Sequence, residues 1–425
     1  MEIKITPSEL SGSVEIAESK SYAHRMLICA ALAKEPCKII CVQSSEDIDA
    51  TVRCITALGA KAERLADGFY VTPIKEVPET SEMDCGESGS TLRFILPVIA
   101  ALGAKVRIKM SGRLPQRPLE PLWSELCKNG MTLCKKARDL LECGGKLKSG
   151  TFTLPGNISS QYISGLLFAL PLIEGDSELI ITGKIESEAY IDITREVLEK
   201  FGIKSEFVCD RFKIKGGQRA GLTGSCEVRA EGDWSNAAFW LCAGALSERG
   251  VTCTGLNLKS VQGDRKIVDI LQRFGAGVFF DEYKITVRAG DLKGITIDAS
   301  GVPDLVPVLA TVACKAEGQT RIINAERLRI KESDRLKTVS EMLGALGAEI
   351  KETEDGLIIN GSGEGLCGGA AADSCNDHRI AMSAAIASCI CKEELTLTGA
   401  QAVNKSYPTF WERFKELGGI TEEIK

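Results

Sequence analysis

The sequence predicts an α/β protein of two domains, each assembled from three copies of a unit of roughly 72 residues. Three observations carry this. A helix-like segment ending in a glycine occurs six times, as VRCITALGAKAE, LWSELCKNGMTLC, TREVLEKFGIKSEF, IVDILQRFGAGVFF, VSEMLGALGAEIKE and FWERFKELGGITEEI. The marker residues Gly59, Gly130, Gly202, Gly275, Gly347 and Gly418 lie 71, 72, 73, 72 and 71 residues apart, and so regular a period signals a repeat architecture. Between the markers run six alanine-rich apolar segments, each followed by a β-rich stretch.

The elements follow in order. The apolar segments begin near Lys20, Ser88, Ser159, Asp233, Pro303 and Asp377. A helix that is apolar on most faces is a buried one, and several of these open with Ser or Asp, which can accept the free N–H groups of a first turn. The strands come next, as CKIICV, KVRIKM, ELIITG, VTCTGL, TRIINA and LTLTGA, rich in β-branched residues. The amphipathic helix then closes on its glycine, which suits a left-handed C′ position, and further strands complete the unit. A boundary at AEGDWSN halves the six units. One domain is expected to span 20–229 and the other 230–425, with residues 1–19 joining the latter as an N-terminal strand.

Composition narrows the function. The chain has 425 residues, 44% of them hydrophobic, and a net charge of −6. That is enough apolar material for large cores, and the acidic balance argues against a sequence-independent nucleic-acid binder. No apolar run approaches the roughly 18 residues of a membrane span, and MEIKITPSELSGSVEI lacks a signal pattern. A cytoplasmic location is therefore expected. The seventeen cysteines show no CxxC pair, and many, such as Cys29, Cys242, Cys314, Cys389 and Cys391, sit in apolar runs. They read as reduced core residues. With only His24 and His378 present, a Cys/His zinc site is not expected.

The helix starts are where the repeats stop agreeing, and helix N-termini favour anions. ESKSYAHR places Lys20, Ser21 and Arg25 within about one and a half turns; it reads as a cap followed by a solvated arginine, or as an anion contact. CGESGSTLR offers Gly86, Ser88, Gly89 and Ser90 for close backbone approach, then Arg93, without the Gly-Lys-Ser/Thr of a Walker motif. NISSQYIS sets Ser159, Ser160 and Gln161 on one turn, suited to a polyol, a phosphate or plain capping. GRLPQRPLEP is a proline-stiffened loop with Arg113 and Arg117, able to clamp a carboxylate or phosphate. RLRIKESDRL carries Lys331, Glu332 and Arg335, a ligand site or a dense ion-pair face. NDHRIAMS opens an apolar helix with Asp377, His378 and Arg379, costly to bury without a ligand. Asp304 in GVPDLVP reads as a cap or a base, and Lys405 stands in VNKSYP. The basic members, drawn from both halves, suit two small anionic substrates in an interdomain cleft that assembles on closure.

These motifs, in this order from SKSYAHR to NKSYPTFWERF, resemble the EPSP synthase (3-phosphoshikimate 1-carboxyvinyltransferase) family of enolpyruvyl transferases. SGSTLR, the SSQ turn, RIKESDRL and NDHRIAM are its most specific pieces. The resemblance implies two domains of three βαβαββ units around pseudo-threefold axes. It implies transfer of the enolpyruvyl group of phosphoenolpyruvate to the 5-hydroxyl of shikimate 3-phosphate, through a tetrahedral intermediate that loses phosphate, in aromatic amino acid biosynthesis. It implies a monomer with small-molecule substrates and no metal, organic cofactor, nucleic acid or membrane partner. Shikimate 3-phosphate contacts fall on Lys20, Ser21, Arg25, Ser159, Ser160, Gln161, Ser187, Asp304 and Lys331. Phosphoenolpyruvate contacts fall on Lys20, Gly89, Arg117, Gln161, Arg335, Arg379 and Lys405. Asp304 is implied as the hydroxyl's proton acceptor and Glu332 as the acid for the methylene carbon, with Lys20 near enough to share that role. The chain departs from the family at Glu87, where Asn is usual, and at Arg327, often a substrate-binding Asn. The alternatives are the sister enzyme acting on UDP-N-acetylglucosamine, whose mobile-loop cysteine has no counterpart in GRLPQRPL, and a non-catalytic ligand-binding relative.

Overall fold

The computed structural model describes residues 1–218, 227–281 and 284–424. Its contacts divide the chain into two compact units, Glu18–Ala230 and Met1–Ala17 with Glu231–Lys425. The first unit contains helices α1 (Lys20–Ala31), α2 (Glu46–Ala57), α3 (Gly89–Leu102), α4 (Leu122–Lys128), α5 (Ser160–Ala169) and α6 (Glu188–Lys200). Its second repeat shows the plan. Strand Thr80–Asp84 leads through α3 to a parallel partner, Lys105–Lys109, as a helical crossover allows. After α4 the hairpin Met131–Ala137 and Leu140–Gly145 follows, and its second strand pairs antiparallel with Lys105–Lys109. The third repeat keeps this order with Thr151–Pro155, Ser177–Thr182, Ser205–Val208 and Arg211–Ile214. In the first repeat the opening strand is Glu227–Arg229, parallel to Cys37–Ile40.

The other unit contains α7 (Trp234–Ala245), α8 (Ile267–Phe274), α9 (Val306–Lys315), α10 (Arg335–Ala345), α11 (His378–Ser388) and α12 (Phe410–Glu416). The N-terminal segment serves two of its repeats. Gly12–Glu15 opens the fourth, parallel to Val251–Thr254. Glu2–Thr6 closes the sixth, between Leu395–Thr398 and Ile420–Ile424. The α/β class and the six βαβαββ repeats are borne out, with one four-stranded sheet per repeat.

Two separate apolar cores fill the units. In the second unit each of the buried helices α7, α9 and α11 touches the other two. In the first, α3 packs on α5 at a glycine. A Cβ at Gly165 would collide with the carbonyl oxygen of Arg93. That carbonyl lacks its usual i+4 donor because the residue there is Pro97. The six marker glycines all have positive φ, between 76° and 109°, the left-handed geometry expected of C′. The fifth buried helix starts later than predicted. Pro303–Leu305 forms a 3-10 turn and α9 begins at Val306, since Pro307 cannot donate to the carbonyl of residue 303.

The sixteen described cysteines are free thiols. Cys29, Cys242, Cys314 and Cys391 are buried and Cys389 partly so. Among the described residues no helix is long and apolar enough to cross a membrane.

Candidate active site

In the Glu18–Ala230 unit, helix starts deliver the candidates in three groups. Ser45 caps α2 by accepting from the N–H of Ile48, so the carboxylate of Asp47 stands in a first turn that favours negative charge. It receives the ammonium of Lys20 at 2.7 Å.

Arg25 is the centre of the second group. It is 2% exposed, which excludes the solvated alternative. Its Nε donates to Thr194 Oγ1 at 2.8 Å, Nη1 to the Ser21 carbonyl at 2.7 Å and Nη2 to the Tyr190 carbonyl at 2.9 Å. Burial pushes its pKa down to about 10, which leaves it charged at neutral pH. Ser187, at the start of α6, has φ +54°. A left-handed serine stores backbone strain, a feature that clusters at functional sites.

The third group surrounds Gly89. A Cβ there would stand 2.6 Å from Arg117 Nη1 and 2.7 Å from Arg93 Nη1. Arg93 is buried; it donates to Gln161 Oε1 at 2.9 Å and to the Pro118 carbonyl at 3.1 Å. Gln161 Nε2 donates to Ser90 Oγ at 2.8 Å. Ser159 acts as the N-cap of α5, accepting from the N–H of Gln161, and Ser160 is the first helical residue.

In the other unit one guanidinium organises the site. Arg335 is 1% exposed. It donates to Asp377 from Nε at 2.8 Å, to Asp304 from Nη1 at 2.7 Å and to Glu332 from Nη2 at 2.7 Å. Burial opposes its charge, but Asp377, Glu332 and Asp304, in that order, more than offset it and raise its pKa. Asp377 is fully buried, yet Arg335 holds its carboxyl below the usual value. Its burial is thus compensated by an arginine of the protein, not by a ligand as the sequence suggested. Asp304 also meets Arg379 Nη2 at 3.3 Å and Lys331 Nζ at 3.7 Å. Lys331 is pushed below an ordinary lysine, by burial first. The N-cap positions of the 3-10 turn and of α9 are held by Val302 and Leu305, so the reading of Asp304 as a cap does not hold. Lys405 Nζ donates to the Asn376 carbonyl at 2.6 Å, beside two consecutive left-handed residues, Cys375 and Asn376.

Asp264 escaped the sequence reading. Its Oδ2 accepts from Ser235 Oγ, and its Oδ1 is buried with no partner among the described residues. Burial, then the charge of Asp304, pushes its pKa up to about 7 from the usual 3.8, against Arg379. Between these values the folded chain keeps a proton that the unfolded chain has lost. The stability from this group is full below about pH 4 and is lost as pH rises through about 7. Asp264→Asn cannot ionise. Its Tm relative to the parent should climb from pH 5 to pH 8, by a gain of up to about 3 kcal/mol in stability; a difference flat in pH would remove the raised pKa.

Asp47 was likewise missed, although the acidic first turn of SSEDID marked it, and Arg93, named in CGESGSTLR, was given no substrate contact. Of the two departures, Glu87 lays its carboxyl against Gly112, and Arg327 Nη2 donates to the Ser300 carbonyl at 3.0 Å. Among the described residues no cluster of three or more His, Cys, Asp or Glu could hold a metal ion.

Six repeats in two units, with arginines and lysines gathered at helix starts against carboxylates, define an α/β protein that handles small anions. The chain belongs to the EPSP synthase (3-phosphoshikimate 1-carboxyvinyltransferase) family, whose family model matches residues 5–414. It is 44% identical over 428 residues to the 3-phosphoshikimate 1-carboxyvinyltransferase of Clostridium acetobutylicum, covering 99% of this chain and 98% of that one. It is 45% identical over 424 residues to that of Clostridium perfringens, covering 99% of each. The EPSP synthase structure from Acinetobacter baumannii shares the fold with TM-score 0.82 at 24% identity, covering 99% of this chain and 100% of that one. The enolpyruvyl transferase NikO from Streptomyces tendae does so with TM-score 0.80 at 19% identity, covering 100% and 98%.

Proposed function

We propose that this chain is a transferase that moves the enolpyruvyl group of phosphoenolpyruvate to the 5-hydroxyl of shikimate 3-phosphate and releases inorganic phosphate. The observation that carries this is the family match over residues 5–414, together with relatives of that name at 42–46% identity along nearly the whole chain. The fold alone does not choose the acceptor, because NikO, an enolpyruvyl transferase of another name, shares it.

Each unit supplies part of the machinery. Asp304 takes the proton of the attacking hydroxyl, and Glu332 protonates the methylene carbon so that its neighbour gains cation character. The hydroxyl oxygen bonds to that neighbour, and a tetrahedral intermediate forms. The methyl group then returns a proton to Glu332 as the C–O bond to phosphate breaks, the double bond is restored, and the proton held by Asp304 leaves with the phosphate. Lys20, Arg117, Arg335, Arg379 and Lys405 meet the carboxylate and phosphate charges of phosphoenolpyruvate, with Gly89 and Gln161 beside them. Ser21, Arg25, Ser159, Ser160, Gln161, Ser187 and Lys331 serve shikimate 3-phosphate, together with Lys20. The pairs Lys20–Asp47 and Arg335–Glu332 support a competition. A substrate carboxylate or phosphate displaces the protein's own carboxylates from these cations, which frees Glu332 to take up a proton.

Gly89→Ala tests the anion clamp. The new methyl group must push the Arg117 guanidinium aside. KM for phosphoenolpyruvate should rise by about 10- to 100-fold, one to two contacts' worth of charge-assisted bonding, while KM for shikimate 3-phosphate stays within about twofold.

The function itself is tested by phosphate release from phosphoenolpyruvate with shikimate 3-phosphate or UDP-N-acetylglucosamine as acceptor. Release only with shikimate 3-phosphate is the expected result. Release only with the sugar nucleotide keeps the family fold and overturns the acceptor. No release with either leaves a binding protein.

A further inference from the structure

One buried hydrogen-bond chain lies outside the machinery described above. His24 Nδ1 stands 2.6 Å from Thr51 Oγ1, Thr51 Oγ1 stands 2.7 Å from Thr91 Oγ1, and Thr91 Oγ1 donates to Ser88 Oγ at 2.8 Å. All four side chains are at most 1% exposed. The chain has a direction. The single proton of Thr91 has Ser88 Oγ before it and the Asp47 carbonyl at 3.4 Å. Thr51 therefore donates to Thr91 and takes the Nδ1–H of His24, because each hydroxyl carries one proton. Burial holds the His24 pKa well below its ordinary value, with Lys20 and Arg25 adding to the effect. The imidazole is neutral and does not act as a pH switch.

The ends of this chain are what give it meaning. His24 belongs to α1, one turn beyond Lys20. Thr51 belongs to α2, one turn beyond Asp47, the partner of Lys20. Thr91 and Ser88 form the first turn of α3, where Ser88 is the N-cap and Gly89 faces Arg117. Three helix starts from two repeats are thus fixed to one another by three short hydroxyl contacts. Valine at position 51 keeps the shape of threonine, breaks two of these contacts and leaves Thr91 without its donor.

We propose that Thr51 is a positioning residue for the phosphoenolpyruvate-binding part of the site, setting the Asp47–Lys20 pair and the Ser88–Gly89 turn through its hydroxyl contacts with His24 and Thr91. This rests on the transferase reading above. A hydrogen-bond chain with only a structural duty would lower the active fraction, and hence kcat, without separating the two substrates.

The test is steady-state kinetics of Thr51→Val, Thr51→Ser, Thr91→Val and the double Thr51→Val/Thr91→Val variant. Thr51→Val should raise KM for phosphoenolpyruvate about 10-fold with KM for shikimate 3-phosphate within about twofold, the scale of one broken buried bond. Thr51→Ser should restore the parent value. The double variant should lose less than the product of the two single losses, because the Thr51–Thr91 contact is broken by either change alone. Equal changes in both KM values, failure of serine to rescue, or multiplicative losses in the double variant would overturn the proposal. A parallel arm needs no turnover: protection against thermal unfolding by inorganic phosphate, measured on the parent, Thr51→Val and Thr51→Ser. The gain in Tm should shrink in the valine variant and return in the serine variant. A parent that transfers to no acceptor but shows this pattern overturns the transferase reading and keeps the positioning role. Equal protection of parent and valine variant overturns the positioning role whatever the acceptor.

Discussion

Asp304→Asn is expected to lower kcat by about 10²–10⁴-fold, the range for loss of a positioned general base, while neither substrate binds more weakly. The sign of the second effect follows from the neighbours. The Asp304 carboxylate sits 2.7 Å from Arg335, 3.3 Å from Arg379 and 3.7 Å from Lys331. These cations are assigned to the two anionic substrates. An amide at position 304 keeps the shape of the carboxyl but withdraws its charge, so a substrate carboxylate or phosphate meets less competition for the same arginines. KM values should hold steady or fall as kcat falls. The fold should survive, because Arg335 retains Asp377 and Glu332. Steady-state kinetics with each substrate varied in turn decides the matter. Near-normal kcat would remove Asp304 as the base, and a large rise in either KM with kcat intact would make it a binding residue.

What the sequence made legible was local. The repeat could be read because each amphipathic helix needs a residue at positive φ after it, and glycine is the residue that takes that geometry without strain; all six markers have it. The buried helices could be read from composition, and the helix starts from their unlike polar residues. What the sequence hid depends on contacts far apart in the chain. Lys20 and Asp47 are 27 residues apart, Arg335 and Asp377 42, and Arg379 and Asp304 75. No periodicity marks such pairs, because the first joins two helices of one repeat and the others join neighbouring repeats, never neighbouring residues. The same holds for the short opening strands. Gly12–Glu15 precedes α1 in sequence but opens the fourth repeat, while Glu227–Arg229 precedes α7 and opens the first. Ser187 was reached only through family resemblance; its left-handed backbone leaves no mark in its residue type.

Arg335→Met is expected to be the most destabilising single change in the site. The guanidinium serves three carboxylates from three segments, and one of them, Asp377, has no exposed surface. Removing one partner of a buried ion pair leaves the other charge uncompensated, at a cost of about 3–5 kcal/mol. Asp377 would keep its bonds from Ser333 Oγ at 3.0 Å and from the N–H of Arg379 at 3.0 Å, which temper the loss without neutralising the charge. The loss should depend on pH with a definite sign. In the parent, Arg335 lowers the pKa of Asp377. The stability from that pair is present above the usual carboxylate pKa of 3.8 and is lost as pH falls through the lowered value. In the variant Asp377 has lost its main counter-charge while burial and Glu332 still oppose ionisation, so protonation relieves it. The Tm deficit should therefore be largest near pH 7 and shrink toward pH 4. A second substitution separates structure from chemistry. Arg335→Met/Asp377→Asn removes the stranded charge and should regain much of the stability at pH 7, since apolar or neutral replacements of a whole buried pair are often tolerated. It should regain none of the activity, because the donors meant for the substrate carboxylate are still missing. Recovery of kcat along with Tm would show that Arg335 acts only as a scaffold for Asp377. Recovery of Tm alone would place it among the groups that meet the substrate.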